Sequence, residues 1–385
     1  MRRISDITLV NTTYREKSIL KELDLYNVPW EDGSMHQAFI NCINIYNIVN
    51  INSDVTNMHS AFSGCISLVN GPEIPSGVTN MVSAYENCSS LENVDEIPNS
   101  ITDLTNTFAN CSSLETMPTI PSNVNVMSNT FANCSSLTTL STIPTSIENM
   151  SQTFNGCSVL ENIPDLSDCS HLTNMYGTFG YTHINKISNI PTSVNNIEKC
   201  FQGCSELSDV QSFDEHSLLT SFSETFSECT SLVSMPVISN LVSNISKTFN
   251  GCSSLTTINE LSANVSNMYG TFDGCTSLEG DVFIWSENIT NAIECFNNTS
   301  ANKDVYIPFY YNGSEEHTKT YNAFTTEAGY STTTRINGVL IVDINDDIDI
   351  GDYINIITPL VNGAKSVKLT RYIGTKTDIV TPHVK

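Results

Sequence analysis

Thirteen cysteines are the most reactive side chains of this sequence, and ten of them follow an aromatic residue by three positions. The ten are Cys42, Cys65, Cys88, Cys111, Cys134, Cys157, Cys204, Cys229, Cys252 and Cys275. Such a row could form a disulfide ladder, bind an array of metal ions, or fill the interior as small apolar side chains. Zinc sites use closely paired cysteines or nearby histidines, and neither recurs here. We therefore expect buried thiols that form no disulfide.

An acidic segment near the C-terminus is the second candidate for chemistry. Its possible metal ligands are Asp343, Asn345, Asp347 and Asp349. A calcium-binding EF-hand loop that began at Asp343 would require glycine at the sixth position and an acidic residue at the twelfth. Those positions are Ile348 and Ile354. The pattern favours a solvated acidic turn, and we predict no metal site and no cofactor.

Catalytic residues leave no recognisable pattern in this sequence. Only two of the seven histidines, His36 and His59, share a repeat position, and serine is too abundant to mark a nucleophile. The phosphate-binding patterns GxGxxG and GxxxxGK are both missing from the sequence. We therefore expect a protein that is not an enzyme.

The elements that position these residues follow from a repeat of 22 to 25 residues. Its marker is an aromatic residue in twelve copies: Phe39, Phe62, Tyr85, Phe108, Phe131, Phe154, Phe179, Phe201, Phe226, Phe249, Phe272 and Phe296. One such unit cannot bury its own apolar face, so neighbouring units must stack as coils. We number the coils 1 to 12 by these aromatics and count positions from the aromatic as zero.

Within a coil, an apolar residue stands at position −4, cysteine at +3 and leucine at +6. Steps of four and three residues place side chains on one face of a helix, so we predict about two helical turns in each coil. Asparagine at −5 suits a helix N-cap, and glycine or asparagine at +2 suits a left-handed helix end. Proline follows the leucine and predicts a very short extended segment.

The stretch NTFANCSSL at 106–114 returns at 129–137, and its wider pattern is N-M-x-x-T-F-x-x-C-x-S-L-x-x-[MLI]-P-x-I-P. This unit resembles the BspA-like, or Treponema pallidum-type, leucine-rich repeat. The resemblance covers residues 35–300. It implies an α/β solenoid, a right-handed leucine-rich-repeat stack of about twelve coils. It also implies bacterial surface and secreted proteins that bind host or partner proteins, with similar repeats in phage and prophage tail-associated proteins.

The repeat divides the chain into four predicted segments. Residues 1–34 form an N-terminal cap, 35–300 the solenoid, 301–345 a C-terminal capping module, and 346–385 a small β-rich tail. Within the solenoid, Tyr181 and Thr182 replace the usual glycine and cysteine, and the repeat steps there are irregular. We expect a local kink or a bulged loop at this place.

The charge of the chain limits its partners. Asp and Glu number 41 against 16 Lys and Arg, for a formal net charge of −25. Such a chain is repelled by nucleic acid and by anionic lipid, so we expect neither nucleic-acid binding nor membrane insertion. The basic N-terminus lacks the apolar run of a signal peptide. We expect an extracellular location on a virion or a bacterial surface, reached by another route or with a leader that is missing here.

The exposed side of the extended segments is the predicted binding surface. Positions +7, +8 and +11 of coils 4 to 6 supply Glu115, Thr116, Thr119, Thr138, Thr139, Thr142, Glu161, Asn162 and Asp165. We predict a non-enzymatic binding or adhesion protein, a phage tail-associated virion protein that contacts the host cell surface. Its partner would be a host cell-surface protein or glycan, or a neighbouring virion protein. The alternatives are a bacterial surface adhesin and a purely structural spacer.

Overall fold

A computed structural model describes residues 22–259, 261–299, 303–309, 317–334, 336 and 339–343. In this part the chain winds into stacked coils with short strands. The strands are β1 (Glu22–Leu25), β2 (Asn47–Ile51), β3 (Lys186–Ile187), β4 (Asp209–Val210), β5 (Val282–Phe283), β6 (Lys303–Ile307) and β7 (Val339–Asp343). They pair in parallel, in the orders β1-β2, β3-β4 and β5-β6-β7.

Isolated parallel bridges join other coils. One row of them lies at position −5, as in Asp103 with Val126, another at +8, as in Thr116 with Thr139, and two more bridges lie at +12. In these coils the predicted extended segment is present as isolated bridges and not as a continuous strand. The described helical segments all lie outside the repeated coils. They are a 3-10 helix (Glu31–Gly33), α1 (Lys319–Asn322) and a π-helical turn (Ala323–Glu327).

The predicted two-turn helix of each coil is wrong, because consecutive tight turns take its place. Positions −2 and +2 adopt the left-handed conformation in all twelve coils, with φ of 51–60° and 53–77°. A left-handed residue in every fourth place cannot belong to a right-handed α-helix. Such a series of turns still brings positions −4, 0 and +3 to the interior, so its apolar spacing imitates that of a helix.

Backbone hydrogen bonds show how these turns are built. In coil 4, the N–H of Cys111 donates to the carbonyl of Phe108 at 3.1 Å, which closes a turn within the coil. The N–H of Phe108 instead donates to the carbonyl of Thr130 in the next coil at 2.9 Å. N–H groups thus alternate between their own coil and the next one. The coil-to-coil bonds, rather than local propensity, fix the turn conformation.

The prediction of a left-handed residue at +2 is confirmed, and the asparagine at −5 also acts as a cap. The side chain of Asn149, for example, accepts the N–H of Ser151 at 2.9 Å. It caps a turn and not a helix. The left-handed conformation at −2 has no sequence signal, because serine, glutamine, lysine and glutamate all occupy that position.

The core is a stack of the twelve repeat aromatics, each with its ring 5.5–5.9 Å from the next. All twelve are buried, which confirms the predicted interior stack. The rings continue evenly through the irregular coils, so the expected kink does not interrupt the stack. The extra residues of the two longer coils include the buried side chains Cys169 and His216.

Aromatic residues also cover both ends of the stack. Trp30 packs its edge against Phe39 at 6.2 Å. At the other end, Phe324 lies 6.4 Å from Phe296, and the Tyr330 hydroxyl accepts the N–H of Phe296 at 3.1 Å. The predicted β-rich tail, 346–385, lies outside the described residues, as does most of the predicted N-terminal cap.

All thirteen cysteines are buried thiols, which confirms the prediction made for the ten repeat cysteines. The Cys134 thiol donates to the carbonyl of Phe108 in the preceding coil at 3.2 Å, and the same contact recurs along the stack. Threonine at −1 acts similarly, since the Thr130 hydroxyl donates to the Leu104 carbonyl at 2.9 Å. Each side chain satisfies a buried carbonyl between coils, and this explains why cysteine and threonine recur.

Candidate functional site

The nine predicted binding residues lie on what we call the extended face, the outward side chains at positions +7 to +12 of coils 4 to 6 (115–120, 138–143 and 161–166). All nine are exposed. Coils 4 and 5 are joined here, since the N–H of Thr138 donates to the carbonyl of Glu115 at 3.0 Å and that of Met117 to Thr139 at 2.8 Å. These two coils therefore present their candidates in register.

Coils 5 and 6 separate at the same level. No backbone hydrogen bond joins 138–142 to 161–165, all of which are described. A groove of about 340 Å³ opens between them, lined by Thr138, Leu140, Ser141, Thr142, Asn162, Ile163, Pro164 and Asp165. Pro164 has no N–H to offer the neighbouring coil, and this weakens pairing at that point.

The groove contains four of the nine predicted residues, namely Thr138, Thr142, Asn162 and Asp165. The other five, Glu115, Thr116, Thr119, Thr139 and Glu161, are exposed beside it or on the neighbouring coil. Leu140, Ser141, Ile163 and Pro164 also line the groove and were not predicted, because an opening between two coils has no signal in the repeat.

Asp165 gives the groove its charge. Its carboxylate accepts the N–H of Ser167 at 3.0 Å and the side-chain amide of Asn189 at 3.4 Å. These hydrogen bonds hold the pKa of Asp165 below its usual value, so the carboxylate stays ionised at neutral pH. No lysine or arginine lines the groove. The site can therefore accept hydrogen bonds and attract positive charge.

A second surface, the turn face, consists of the outward side chains at positions −5 to +2 of each coil. In coils 3 to 5 it carries an amide ladder, in which Asn110 donates to Asn87 and Asn133 donates to Asn110, each at 2.9 Å. In coils 7 to 9 the equivalent positions include Tyr181, which is 48% exposed, and the ion pair of Lys199 with Glu224 at 3.6 Å.

Neither surface gathers the residues of a metal site. Among the described residues, no group of three or more His, Cys, Asp or Glu side chains is placed to hold an ion. Asp343 is the last residue of β7 and is buried, while Asn345, Asp347 and Asp349 lie outside the described residues. The described part also contains no helix with the length and apolarity that crossing a bilayer requires.

The coil geometry agrees with a known repeat family. The model of the BspA type leucine rich repeat region matches residues 35–161 and 198–311, more than half of the chain. The chain belongs to the BspA-type leucine-rich repeat family. A second model, described as a Mycoplasma protein of unknown function, matches residues 125–240. BspA-type repeats are typical of cell-surface proteins that bind or adhere, and not of enzymes.

Solved structures of other leucine-rich repeat proteins are similar at low identity. A Bacteroides ovatus leucine-rich repeat protein is 22% identical over 75% of this chain and 88% of its own, with a TM-score of 0.36. A leucine rich cell surface protein from Faecalibacterium prausnitzii is 22% identical over 68% and 82%, with a TM-score of 0.38. The T. pallidum leucine rich repeat protein is 19% identical over 56% and 78%, with a TM-score of 0.32. No curated protein matches the chain.

In this BspA-type chain the recurring residues are used by the fold. Phenylalanine and leucine form the core, cysteine and threonine bind carbonyls between coils, and asparagine caps turns. Any selectivity must come from positions that differ between coils. The groove residues and the turn-face residues of coils 7 to 9 are such positions.

Proposed function

We propose that this protein is a non-enzymatic adhesion protein that binds its partner through the extended face of coils 4 to 6. The observation that carries the proposal is the groove between coils 5 and 6, where no backbone hydrogen bond joins 138–142 to 161–165. It combines hydrogen-bonding side chains with one ionised carboxylate. Extended solenoid surfaces are a common means of binding other proteins.

The chemistry of the extended face favours a protein partner with basic side chains. Glu115, Glu161 and Asp165 are exposed on it, and the whole chain carries a formal charge of −25. Lysine and arginine can donate to the groove carboxylate and to the amide and hydroxyl groups around it. The leucine and isoleucine of the groove floor offer limited apolar contact. A broad electrostatic contact, weakened by salt, is the expected mode of binding.

The setting of this adhesion is part of the proposal. Membership of a family that is typically found at the cell surface supports a bacterial surface adhesin. We propose instead a virion setting, with the protein attached to a phage tail and facing the host. Immunoblotting of purified virions against washed host cells separates the two settings. Signal in the virion fraction alone supports the phage assignment, and signal in the cell-surface fraction alone contradicts it.

The adhesion proposal is tested with labelled full-length protein titrated on intact candidate host cells by flow cytometry. The variant carries Thr142→Ala, Asn162→Ala and Asp165→Ala together. We expect binding at micromolar concentration or better, with at least tenfold weaker apparent affinity for the variant and an unchanged Tm. The control carries Thr257→Ala and Glu279→Ala, which change exposed residues on the same side of coils 10 and 11.

Two outcomes contradict the adhesion proposal. Failure of the unaltered protein to bind any candidate cell at micromolar concentration would favour the structural spacer instead. Equal loss of binding in the groove variant and the control would show that the extended face of coils 4 to 6 has no special role.

A further inference from the structure

Tyr181 stands in a backbone position that the other coils give mostly to glycine or asparagine. Its φ is +58°, in the left-handed region that a bulky side chain rarely adopts. The stack imposes this conformation at +2 in every coil, so what distinguishes coil 7 is the tyrosine side chain. The N–H of Tyr181 donates to the carbonyl of Gln202 at 2.6 Å and helps to fix the backbone.

The next coil leaves room for the Tyr181 ring. Gly203 occupies the same position one coil later, and a Cβ there would lie 2.7 Å from Cε1 and even closer to Cδ1 of Tyr181. Any other residue at 203 would therefore displace the ring. With glycine, the ring lies across the Gly203 backbone and remains 48% exposed. Tyr181 is thus an aromatic surface held in one orientation.

Charged groups of both signs lie on the same turn face of coils 8 and 9. Lys199 forms an ion pair with Glu224 at 3.6 Å, and its ammonium lies 6.0 Å from the centre of the Tyr176 ring. Partial burial raises the pKa of Tyr181, and the negative charge of Glu228 raises it further. The turn face of coils 7 to 9 thus carries hydrogen-bond donors and acceptors as well as the exposed Tyr181 ring.

The same positions in coils 3 to 6 carry no such groups. Position +2 is Asn87, Asn110, Asn133 and Gly156 there, and position −2 is Ser83, Asn106, Asn129 and Gln152. Coils 10 and 11 also bring an ammonium near a ring, with Lys247 at 5.4 Å from Tyr269, but only coil 7 has a tyrosine at the left-handed position +2. This localises a second potential binding site to the turn face of coils 7 to 9.

We propose that the turn face of coils 7 to 9 is a glycan-binding site, with Tyr181 stacking on the apolar face of a neutral pyranose ring. Lys199 would donate to sugar hydroxyls, and Glu224 and Glu228 would accept from them. This activity goes beyond the adhesion proposed for the extended face and uses different residues.

A neutral sugar fits this surface better than a protein or an acidic sugar. The site carries two carboxylates and one ammonium on a chain of formal charge −25, so an acidic ligand would be repelled. A protein hot spot needs a well-packed, desolvated pocket at the centre of a large interface. A single exposed ring edged by donors and acceptors instead matches the size of one sugar unit, which has an apolar C–H face and hydroxyl groups at its rim.

The test uses the full chain on a printed array of neutral oligosaccharides that includes cellotetraose, mannotetraose and chitotetraose, followed by calorimetric titration of the strongest binder. We expect Tyr181→Asn to weaken binding at least tenfold without lowering Tm, because asparagine is the residue that other coils use at this position. Tyr181→Phe keeps the ring and should bind within about threefold of the unaltered protein. The control is Tyr26→Asn, which removes a tyrosine that is 63% exposed and distant in the sequence.

The glycan proposal is overturned if no neutral oligosaccharide binds above the Tyr181→Asn background, or if Tyr181→Asn binds as tightly as the unaltered protein. It is also overturned if Tyr26→Asn weakens binding as much. The triple groove variant separates this proposal from the adhesion proposal. That variant should keep its oligosaccharide affinity even where it no longer adheres to cells, and failure of cell adhesion leaves the array result unaffected.

Discussion

Coils 3 to 6 and coils 7 to 9 share one aromatic stack but present different side chains at the same left-handed turn positions. In the first group these are Ser83, Asn87, Asn106, Asn110, Asn129, Asn133, Gln152 and Gly156. In the second group they are Gly177, Tyr181, Lys199, Gly203, Glu224 and Glu228. The φ angles are the same within about 25° in both groups, so the backbone is not what distinguishes them.

The comparison shows that the stack imposes the turn conformation on whatever residue stands there. Asparagine tolerates a left-handed backbone well, but tyrosine, lysine and glutamate do not favour it. They adopt it here because every second N–H of the turn donates to the next coil. The turn positions are therefore free to vary and to carry function, at a modest cost in local strain.

The thiol row runs through both groups except at coil 7, where Thr182 stands in place of cysteine, and alkaline pH should destabilise both groups through it. Burial raises the pKa of Cys88, Cys134 and Cys275 to about 12 and that of Cys204 to about 11. Unfolded cysteine titrates near 8.5, so the unfolded state holds fewer protons above that pH. The stability from protonated thiols is complete below about pH 8.5 and is lost as pH rises towards 11–12.

We expect Tm to fall steeply between pH 8.5 and 10.5 in reducing buffer, with loss of the whole fold. Each buried thiol contributes a slope of up to about 1.4 kcal/mol per pH unit. Circular dichroism melts at stepped pH measure this. Cys134→Ala is the control. It removes one titrating thiol and should reduce the slope of the unfolding free energy by up to about 1.4 kcal/mol per pH unit. A Tm that stays level from pH 8 to 10 would contradict the assignment of the cysteines as buried thiols.

Removing one buried ring from the core should lower the free energy of unfolding by the same amount in the regular and the irregular coils. Phe131→Ala and Phe201→Ala each remove one ring from the stack, and both residues are fully buried. We expect each to lower the free energy of unfolding by about 3–5 kcal/mol, measured from urea midpoints. The control, Thr116→Ala on the exposed surface, should have little effect. A much smaller loss for Phe201→Ala would show that the irregular coils pack loosely and that their regular appearance is misleading.

The aromatic stack and the thiol row could be predicted from the sequence because each rests on strict residue identity at a fixed period. The turn conformation could not, since the −4, 0 and +3 spacing of a solenoid interior is also that of a helix face. Glycine and asparagine at +2 predict one left-handed residue in each coil. The second, at −2, is enforced by hydrogen bonds between coils, which no local pattern records.

The candidate sites were less predictable than the fold. The exposed residues of coils 4 to 6 follow from the alternation of the repeat, so Asn162 and Asp165 were found. The groove forms because coils 5 and 6 do not pair beside Pro164, and a repeat pattern does not record whether two neighbouring coils pair. Tyr181 marks an irregular repeat, for which the sequence predicts a local kink or a bulged loop. Only the structure shows that its ring packs against the backbone of Gly203 in the next coil while remaining at the surface.

In the regular coils, we expect the buried hydroxyl of Tyr85 to lower the free energy of unfolding. Tyr85 is the sole tyrosine of the twelve stacked residues, and its buried hydroxyl has no hydrogen-bond partner among the described residues. It lies 3.6 Å from the place of a Cβ on Gly71, so the glycine leaves space for it. We expect Tyr85→Phe to stabilise the protein by about 1–2 kcal/mol, because an unsatisfied buried hydroxyl is removed.

Phe108→Tyr is the matched opposite of this change and should destabilise by a similar amount, since coil 3 has Val94 at the position where coil 2 has Gly71 beside the Tyr85 ring. Thermal melts of the two variants with the unaltered protein measure both effects. A lower Tm for Tyr85→Phe would mean that the hydroxyl has a partner that stabilises the fold.

The smallest expected effect tests whether a tyrosine at +2 requires only a glycine at the same position of the next coil. Asn133 is followed by Gly156, where a Cβ would collide with the Asn133 side chain, as Tyr181 is followed by Gly203. Asn133→Tyr should therefore be accommodated at a cost of about 1 kcal/mol, from the left-handed tyrosine and the lost hydrogen bond to Asn110. Asn110→Tyr faces Asn133 instead of a glycine and loses two ladder hydrogen bonds, so it should cost about 1 kcal/mol more. Urea midpoints of the two variants measure the difference. Equal costs would show that Gly203 is incidental to Tyr181, and the turn face of coils 7 to 9 would then differ from that of coils 3 to 6 in side chains alone.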